Sequence, residues 1–283
     1  MHELFIAASV EGRDFASACA VLQGLTGGTA KHELHRVLFY QGPHQPKGFK
    51  APTGVGQWQA SYQELHRSTL KQGFVVRASW DVSDTAAHFG PDTQAANLDA
   101  TPATLLWTDM PDPTTQPILQ RKMVEIPDQP NLTKVLANND YSFKNEALEE
   151  TYTYYRDTIE FSLTRWRTVP LAMDEAGNRL GSPQERLSAP FDEAYYHALD
   201  PTGRWQLFVR AYVSDTDPDG MKRMHEYMKK AHEELMDIKS ELEGVFEFPA
   251  WDRKCWDSRI AVQVSNMPAP LPQVQSARGG GFS

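Results

Sequence analysis

The chain has 283 residues, of which 40% are hydrophobic and 11% aromatic, with a formal net charge of -9. This apolar content excludes wholesale disorder, and the acidic balance argues against a protein whose main task is to bind nucleic-acid phosphates, including direct sequence-specific binding. Cys19 and Cys255 match no metal or redox spacing, and no stretch approaches the roughly 18 apolar residues of a membrane helix, so we expect a reducing compartment and no membrane span.

The N-terminal third of the chain alternates as strands do. The segments "ELFIAASV", "HELHRVLFYQ" and "GFVVRASWDV" each predict a strand. Between the first two, Phe15, Cys19 and Leu22 lie at helical spacing after a possible cap at Asp14, which predicts a short N-terminal helix. Residues 41–58 contain three prolines and four glycines and are predicted to be a loop.

The middle of the chain begins with a stretch of low hydrophobicity. Ser83–Gln116 is dominated by Asp, Thr, Ala and Pro, so we expect a flexible insertion, 83–116, rather than a domain boundary. Strand character resumes with "LQRKMVEI", a short helix is predicted at "NLTKVLAN", and Tyr141–Val169 predicts two or three long strands.

The segment "TIEFSLTRW" alternates almost without error. Ile159, Phe161 and Leu163 fall on one face, while Glu160 falls on the other. Glu160 therefore points either to bulk water or into the lumen of a closed barrel. In the second case we expect it to pair with a neighbouring arginine, Arg156 or Arg210.

The C-terminal third begins with a polar loop at 170–190. Residues 191–213 predict a hairpin that turns at 200–203, and one long helix follows from about Asp219 to Leu242. "VFEF" and "SRIAVQV" predict further strands, and the tail 268–283 is expected to be disordered.

These elements predict a mainly β, α+β fold. Successive strands with turn-length links favour an antiparallel sheet of about eight strands that closes into a barrel, since closure removes exposed edges. We expect one barrel domain over residues 1–283, with one long helix and a short N-terminal helix.

Strand parity alone gives a set of polar residues for the lumen of such a barrel. Several carboxylates would have to converge there to hold a catalytic Mg²⁺ or Mn²⁺, and the strands offer too few. We therefore predict no catalytic, metal-binding or cofactor-binding residues, and no cofactor. The predicted lumen residues are Arg77, Arg121, Glu125, Arg156, Glu160, Arg210 and Arg259.

An aromatic cluster follows the long helix. Such a cluster forms either a packed corner of the core or a partner surface, since Trp beside Arg is typical of interfaces. Its members are Phe246, Phe248, Trp251, Arg253 and Trp256.

The N-terminal motifs resemble a known family. "MHELFIAASV", "DFASACAVLQGLTG" and "HRVLFYQGP", with "YTYYRDTIEFSLTRW" and "RWQLFVRAYV" later in the chain, are similar to subunit eighteen of the Mediator complex in its fungal form. The resemblance runs from Met1 to Val264, apart from the loops. It implies a nuclear, non-enzymatic subunit of the Mediator head module that bridges transcription regulators and RNA polymerase II.

The resemblance also implies a fold and partners. The family's fold is a many-stranded antiparallel barrel related to the RNA triphosphatase tunnel, paired with Mediator subunit twenty and tethered by a helix of subunit eight. The carboxylate pairs of the triphosphatase are missing from the strands here, so its activity is not carried over. The alternatives are a metal-dependent polyphosphate or RNA 5'-triphosphate hydrolase of the tunnel fold, and a barrel that binds a small anion without turning it over.

Overall fold

A computed structural model describes most of the chain. The described residues are 1–93, 97–113, 117–170, 181–184, 186–214 and 220–260, without the side chains of 220–222. The predicted tail 268–283 and most of the predicted loop 170–190 lie outside these residues.

Within this part of the chain, eight antiparallel strands form a closed barrel in the order β1-β5-β4-β3-β2-β6-β7-β8. The predicted fold class is therefore confirmed. The strands are β1 (His2–Val10), β2 (Lys31–Gln41), β3 (Val75–Asp81), β4 (Ala103–Thr108), β5 (Leu119–Gln129), β6 (Ser142–Arg156), β7 (Ile159–Thr168) and β8 (Trp205–Val213).

Helices cover parts of the outer surface of the barrel. The predicted short N-terminal helix, the helix at "NLTKVLAN" and the long C-terminal helix are all present. The α-helices are α1 (Phe15–Thr26), α2 (Gln59–Ser68), α3 (Thr85–His88), α4 (Leu132–Asn138) and α5 (Gly220–Glu241). None of the helices in the described residues is long and apolar enough to cross a membrane.

The largest core lies between the barrel wall and helices α1 and α5. Phe161 and Leu163 of β7 pack in one buried cluster with Leu22 of α1 and with Leu235 and Ile238 of α5. Successive side chains of a strand point to opposite faces, so the odd-numbered residues of β7 face the helices and the even-numbered ones face the lumen. A second core forms in the same way where α2 and α4 pack on β3, β4 and β5.

The prediction of a flexible insertion at 83–116 is wrong, because this segment contains regular secondary structure. It contains β4, which pairs with β3 and β5 and places Leu105 and Trp107 in the core, where both are at most 1% exposed. It also contains α3, whose N-cap Asp84 accepts a hydrogen bond from the backbone N–H of Ala87. The barrel could not close without β4, because β3 and β5 each pair with it.

The predicted hairpin at 191–213 is also wrong, although its turn is present. Gly203 N donates to Asp200 O at 2.9 Å, but only the second arm is a strand, β8. Both edges of β8 are occupied, by β1 and β7. The first arm instead contacts the end of β7, where Leu199 N donates to Trp166 O at 2.8 Å.

The strand predicted at "VFEF" is wrong as well, since these residues follow α5 as a turn and irregular backbone. Gly244 there adopts a φ of 81°, the left-handed conformation typical of the end of a helix. Of "SRIAVQV", the described residues form a single antiparallel bridge between Arg259 and Phe74, and the rest lies outside the described part.

Candidate functional site: the barrel lumen

The lumen is lined by charged side chains on the strand faces opposite the helices. Alternation along each strand directs these side chains inward, and the register brings residues of neighbouring strands side by side, as for Glu160 of β7 and Arg210 of β8. The lumen groups include Arg77, Arg121 and Arg210, and Glu3, Glu125, Glu149 and Glu160.

Arg210 lies at the centre of this arrangement. Its Nε is 3.1 Å from Oε1 of Glu3, its Nη1 is 2.8 Å from Oε1 of Glu160, and it also donates to the hydroxyl of Ser162. Burial opposes the charge of Arg210, but attraction to Tyr212 once ionised, and to Glu3 and Glu160, more than offsets this and raises its pKa. The predicted pairing of Glu160 with Arg210 is therefore confirmed.

The other two lumen arginines are also paired with glutamates. Arg121 Nε is 2.5 Å from Oε2 of Glu3, and Arg77 Nη2 is 2.6 Å from Oε2 of Glu149. Glu3 thus receives two arginines, and its side chain is 4% exposed. A bound polyphosphate would have to displace these carboxylates, because each arginine already faces an opposite charge.

Glu125 is the exception among the lumen glutamates. Within the described part of the chain its carboxylate has no hydrogen bond or ion pair, although its backbone lies opposite Leu106 in the sheet. Its position inside the barrel raises the pKa of its carboxyl, and the nearby charges of Glu160 and Glu3 raise it further, while Arg77 lowers it. Among the described residues, Glu125 is therefore a lumen glutamate without an ion pair, and its side chain remains exposed to water.

Two of the predicted lumen residues lie elsewhere. Arg156 is on the outer face, where its Nη1 donates to Glu241 of α5 at 2.9 Å. Arg259 lies outside the eight strands, in the segment after α5, and its side chain pairs with Asp257 at 2.7 Å instead of with a glutamate of the barrel wall. The other five predicted residues, Arg77, Arg121, Glu125, Glu160 and Arg210, share the lumen.

Sequence parity missed two glutamates that complete the lumen. Glu3 lies on the face of β1 opposite Leu4 and Ile6, so its inward position could have been found from alternation in "HELFIAASV". Glu149 is harder to find, because the sequence predicts two or three strands over Tyr141–Val169 without showing where one ends and the next begins. Among the described residues, no group of three or more His, Cys, Asp or Glu could hold a metal ion.

The aromatic cluster after α5 does not form one exposed surface. Phe246 is buried under α5 and Phe248 packs against the same outer core. Trp251 and Trp256 pack against the lumen-side residues Phe5, Ala7, Leu119 and Phe208, and Arg253 Nη1 donates to Pro111 O at 3.0 Å.

The lumen end where β7 finishes and β8 begins is partly open. At this end lies a cleft of about 810 Å³, lined by residues that include Phe39, Val75 and Trp166. Its rim carries Tyr195 and Leu199, which are 49% and 59% exposed.

Comparisons with known proteins show a family and a similar fold for this chain. A family model described as "Med18 protein" matches residues 2–259. A comparison with curated proteins gives no match. Among solved structures, a chain of the Schizosaccharomyces pombe Mediator head module is similar, with a TM-score of 0.58 and 17% identity over 87% of this chain and 97% of that chain. At this identity the similarity shows a common fold.

Two more distant structures also align. The PH1012 protein of Pyrococcus horikoshii OT3 has a TM-score of 0.39 and 9% identity over 87% of this chain and 95% of that one. A putative adenylyl cyclase from Hippeastrum, reported to have a dominant triphosphatase activity, has a TM-score of 0.36 and 9% identity, over 89% and 93% of the two chains. Similarity at this level does not establish a shared activity.

Proposed function

The chain belongs to the Med18 family of non-catalytic Mediator subunits, and we propose that it bridges transcription regulators and RNA polymerase II through protein contacts in the head module. The observation that carries this proposal is the family match over residues 2–259, almost the whole barrel. Membership also associates the chain with the nuclear transcription machinery.

The chemistry of the lumen supports a role without catalysis. Glu3, Glu149 and Glu160 each face an arginine, so their charges are neutralised within the wall instead of remaining available to a metal ion. The arginines are neutralised in turn, which disfavours an anionic substrate. No observation favours the hydrolase alternative, and the family assignment contradicts it.

The resemblance of the sequence to Mediator subunit eighteen supports a more specific proposal about the partners. We infer a heterodimer with Mediator subunit twenty and a tether formed by a helix of subunit eight.

A pull-down from nuclear extract tests the proposal. The tagged full chain is expected to recover subunits twenty and eight together with other head-module subunits. Recovery of metabolic enzymes alone would contradict it. A chain with Glu226→Gln, a change at an exposed position of α5, is the matched control and should recover the same subunits.

A further inference from the structure

The C-terminal segment Trp251–Ile260 crosses from the outer face of the barrel into its lumen. Phe246 and Phe248 still belong to the outer core beneath α5, whereas Trp251 and Trp256 pack against lumen residues. The chain therefore passes over the rim of the barrel between 248 and 251. It then runs across the lumen end where β8 begins.

The wall is incomplete at this end, and the C-terminal segment completes it. β1 pairs with β5 only as far as Phe5, and beyond that point the indole Nε1 of Trp251 donates to Ala7 O at 2.9 Å. β3 pairs with β4 only from Arg77 to Ser79, and earlier in β3 Val75 N donates to Ser258 O at 2.7 Å. The segment thus provides partners for backbone groups of β1 and β3 that β5 and β4 do not reach.

The side chain of Trp256 fills the lumen end itself. Its ring packs edge-on against Phe5 and Phe208, with ring centroids 5.3 and 5.5 Å apart. Arrangements of this kind stabilise aromatic pairs beyond their burial. Trp256 thereby covers two apolar side chains that would otherwise face the water of the lumen.

This contact forms a small unit separate from the main cores. The cluster of Phe5, Ala7, Leu119 and Phe208 with the two tryptophans is distinct from the three larger clusters of the described residues. Small satellite clusters can open locally while the rest of a protein stays folded. The segment can therefore leave without removing a member of the three larger clusters, although its hydrogen bonds to the barrel, such as Ser258 Oγ to Thr108 O at 2.6 Å, must break.

The two tryptophans differ in their polar atoms. The Nε1 of Trp251 has its hydrogen bond to Ala7, whereas the Nε1 of Trp256 is buried and finds no acceptor among the described residues. A buried donor without a partner opposes the buried state. Trp256 is thus held by the contacts of its ring and not by a hydrogen bond of its indole N–H to a described residue.

From these observations we propose that Trp251–Ile260 is a releasable plug of the lumen. In the closed state Trp256 covers Phe5 and Phe208, and Ser258 and Ile260 pair with the start of β3. In the open state the plug leaves as a unit and exposes the apolar end of the lumen, while the barrel and its lumen ion pairs remain.

Hydrogen exchange followed by mass spectrometry on the full chain tests this proposal, with Trp256→Ala, Trp256→Phe and Trp251→Phe as variants. In Trp256→Ala we expect exchange at Val75 and at 255–260 to accelerate at least about tenfold, since the ring contact is lost. Trp251→Phe should accelerate the same amides, because its bond to Ala7 is lost. Trp256→Phe removes the unpartnered N–H, so these amides should exchange no faster than in the wild type.

Two outcomes would overturn the plug. Unchanged exchange at Val75 and 255–260 in Trp256→Ala would show that the ring does not hold the segment. Faster exchange in all strands would show that Trp256 belongs to the common core of the barrel. The Trp256→Phe variant, which keeps an aromatic ring, separates a failure of the plug from a failure to fold.

Discussion

Arg210 contacts two glutamates of the lumen, one on each neighbouring strand. It connects β8 to Glu3 of β1 and to Glu160 of β7, so one guanidinium neutralises carboxylates on both neighbouring strands. A buried pair of this kind is weak evidence for net stabilisation, because desolvation offsets the attraction. Removing one partner is nevertheless costly, because charges of the same sign are then left together.

We therefore expect Arg210→Ala to lower the free energy of unfolding by up to about 3 to 5 kcal/mol, because the partly buried Glu160 loses its arginine while Glu3 keeps Arg121. Urea denaturation measures this change. Arg156→Ala is the matched control, because it also removes an arginine–glutamate pair but on the outer face, where such a pair is worth roughly 0 to 1 kcal/mol. Equal losses of unfolding free energy in the two variants would show that the lumen pair contributes no more to stability than the pair on the outer face.

Glu125, unlike Arg210, is expected to lower the stability of the fold at neutral pH. Its pKa is raised above the ordinary value of 4.5 by its position in the barrel and by Glu160 and Glu3, so the folded chain holds a proton that the unfolded chain has already released. Stability therefore falls as the pH rises through the window just above 4.5, and the loss persists at neutral pH.

Glu125→Gln removes this titration and should raise the urea midpoint at pH 7, with the advantage vanishing below about pH 4, where both states are protonated. Denaturation curves across this pH range measure the difference. Glu226→Gln, at an exposed position of α5, should show no such pH-dependent advantage. An advantage of Glu125→Gln that stays constant down to low pH would contradict the electrostatic explanation.

Alternation could predict the inward position of several of these residues, and local chain geometry explains the main error. Arg156 and Glu160 were expected on one face because they are four residues apart in what looked like one strand. The chain in fact reverses between β6 and β7, and Asp157 takes a φ of 53° in that turn. The alternation of inward and outward residues in one strand does not continue through a turn into the next strand, so Arg156 points outward although Glu160 points inward.

At the scale of elements, length and strength of alternation decided what could be predicted. Long alternating segments such as β6 and β7 were recognised, as was the amphipathic helix α5. β4 was missed because it has only six residues within a polar stretch, and its partners β3 and β5 are distant in sequence. Helix α2 was missed because it follows directly from a loop rich in glycine and proline.

The turn between β6 and β7 provides a prediction at this scale. Left-handed backbone strains residues that carry a Cβ and least strains glycine. Asp157→Gly should therefore raise the free energy of unfolding by about 0.5 kcal/mol, and Asp157→Val should lower it by about 1 to 2 kcal/mol. Thermal or urea denaturation measures both. If the valine variant were as stable as the glycine variant, the turn would not be strained.

At the scale of the whole molecule, closure of the sheet unites the fold and the lumen. Alternation indicates which residues point inward, but not which inward residues meet, because that depends on the register between strands. The pairs Arg77–Glu149 and Arg121–Glu3 join residues 72 and 118 positions apart in sequence. Such contacts follow only from a closed barrel with a known register.

The central claim is that the charges of the lumen neutralise one another, so that the protein acts through contacts with other chains. Its most direct test is phosphate release and thermal stability of the full chain with inorganic tripolyphosphate, with and without Mg²⁺ or Mn²⁺. We predict no phosphate release and no rise in melting temperature. Metal-dependent release of phosphate, or a clear stabilisation that Arg210→Ala abolishes while Arg156→Ala retains it, would contradict the claim.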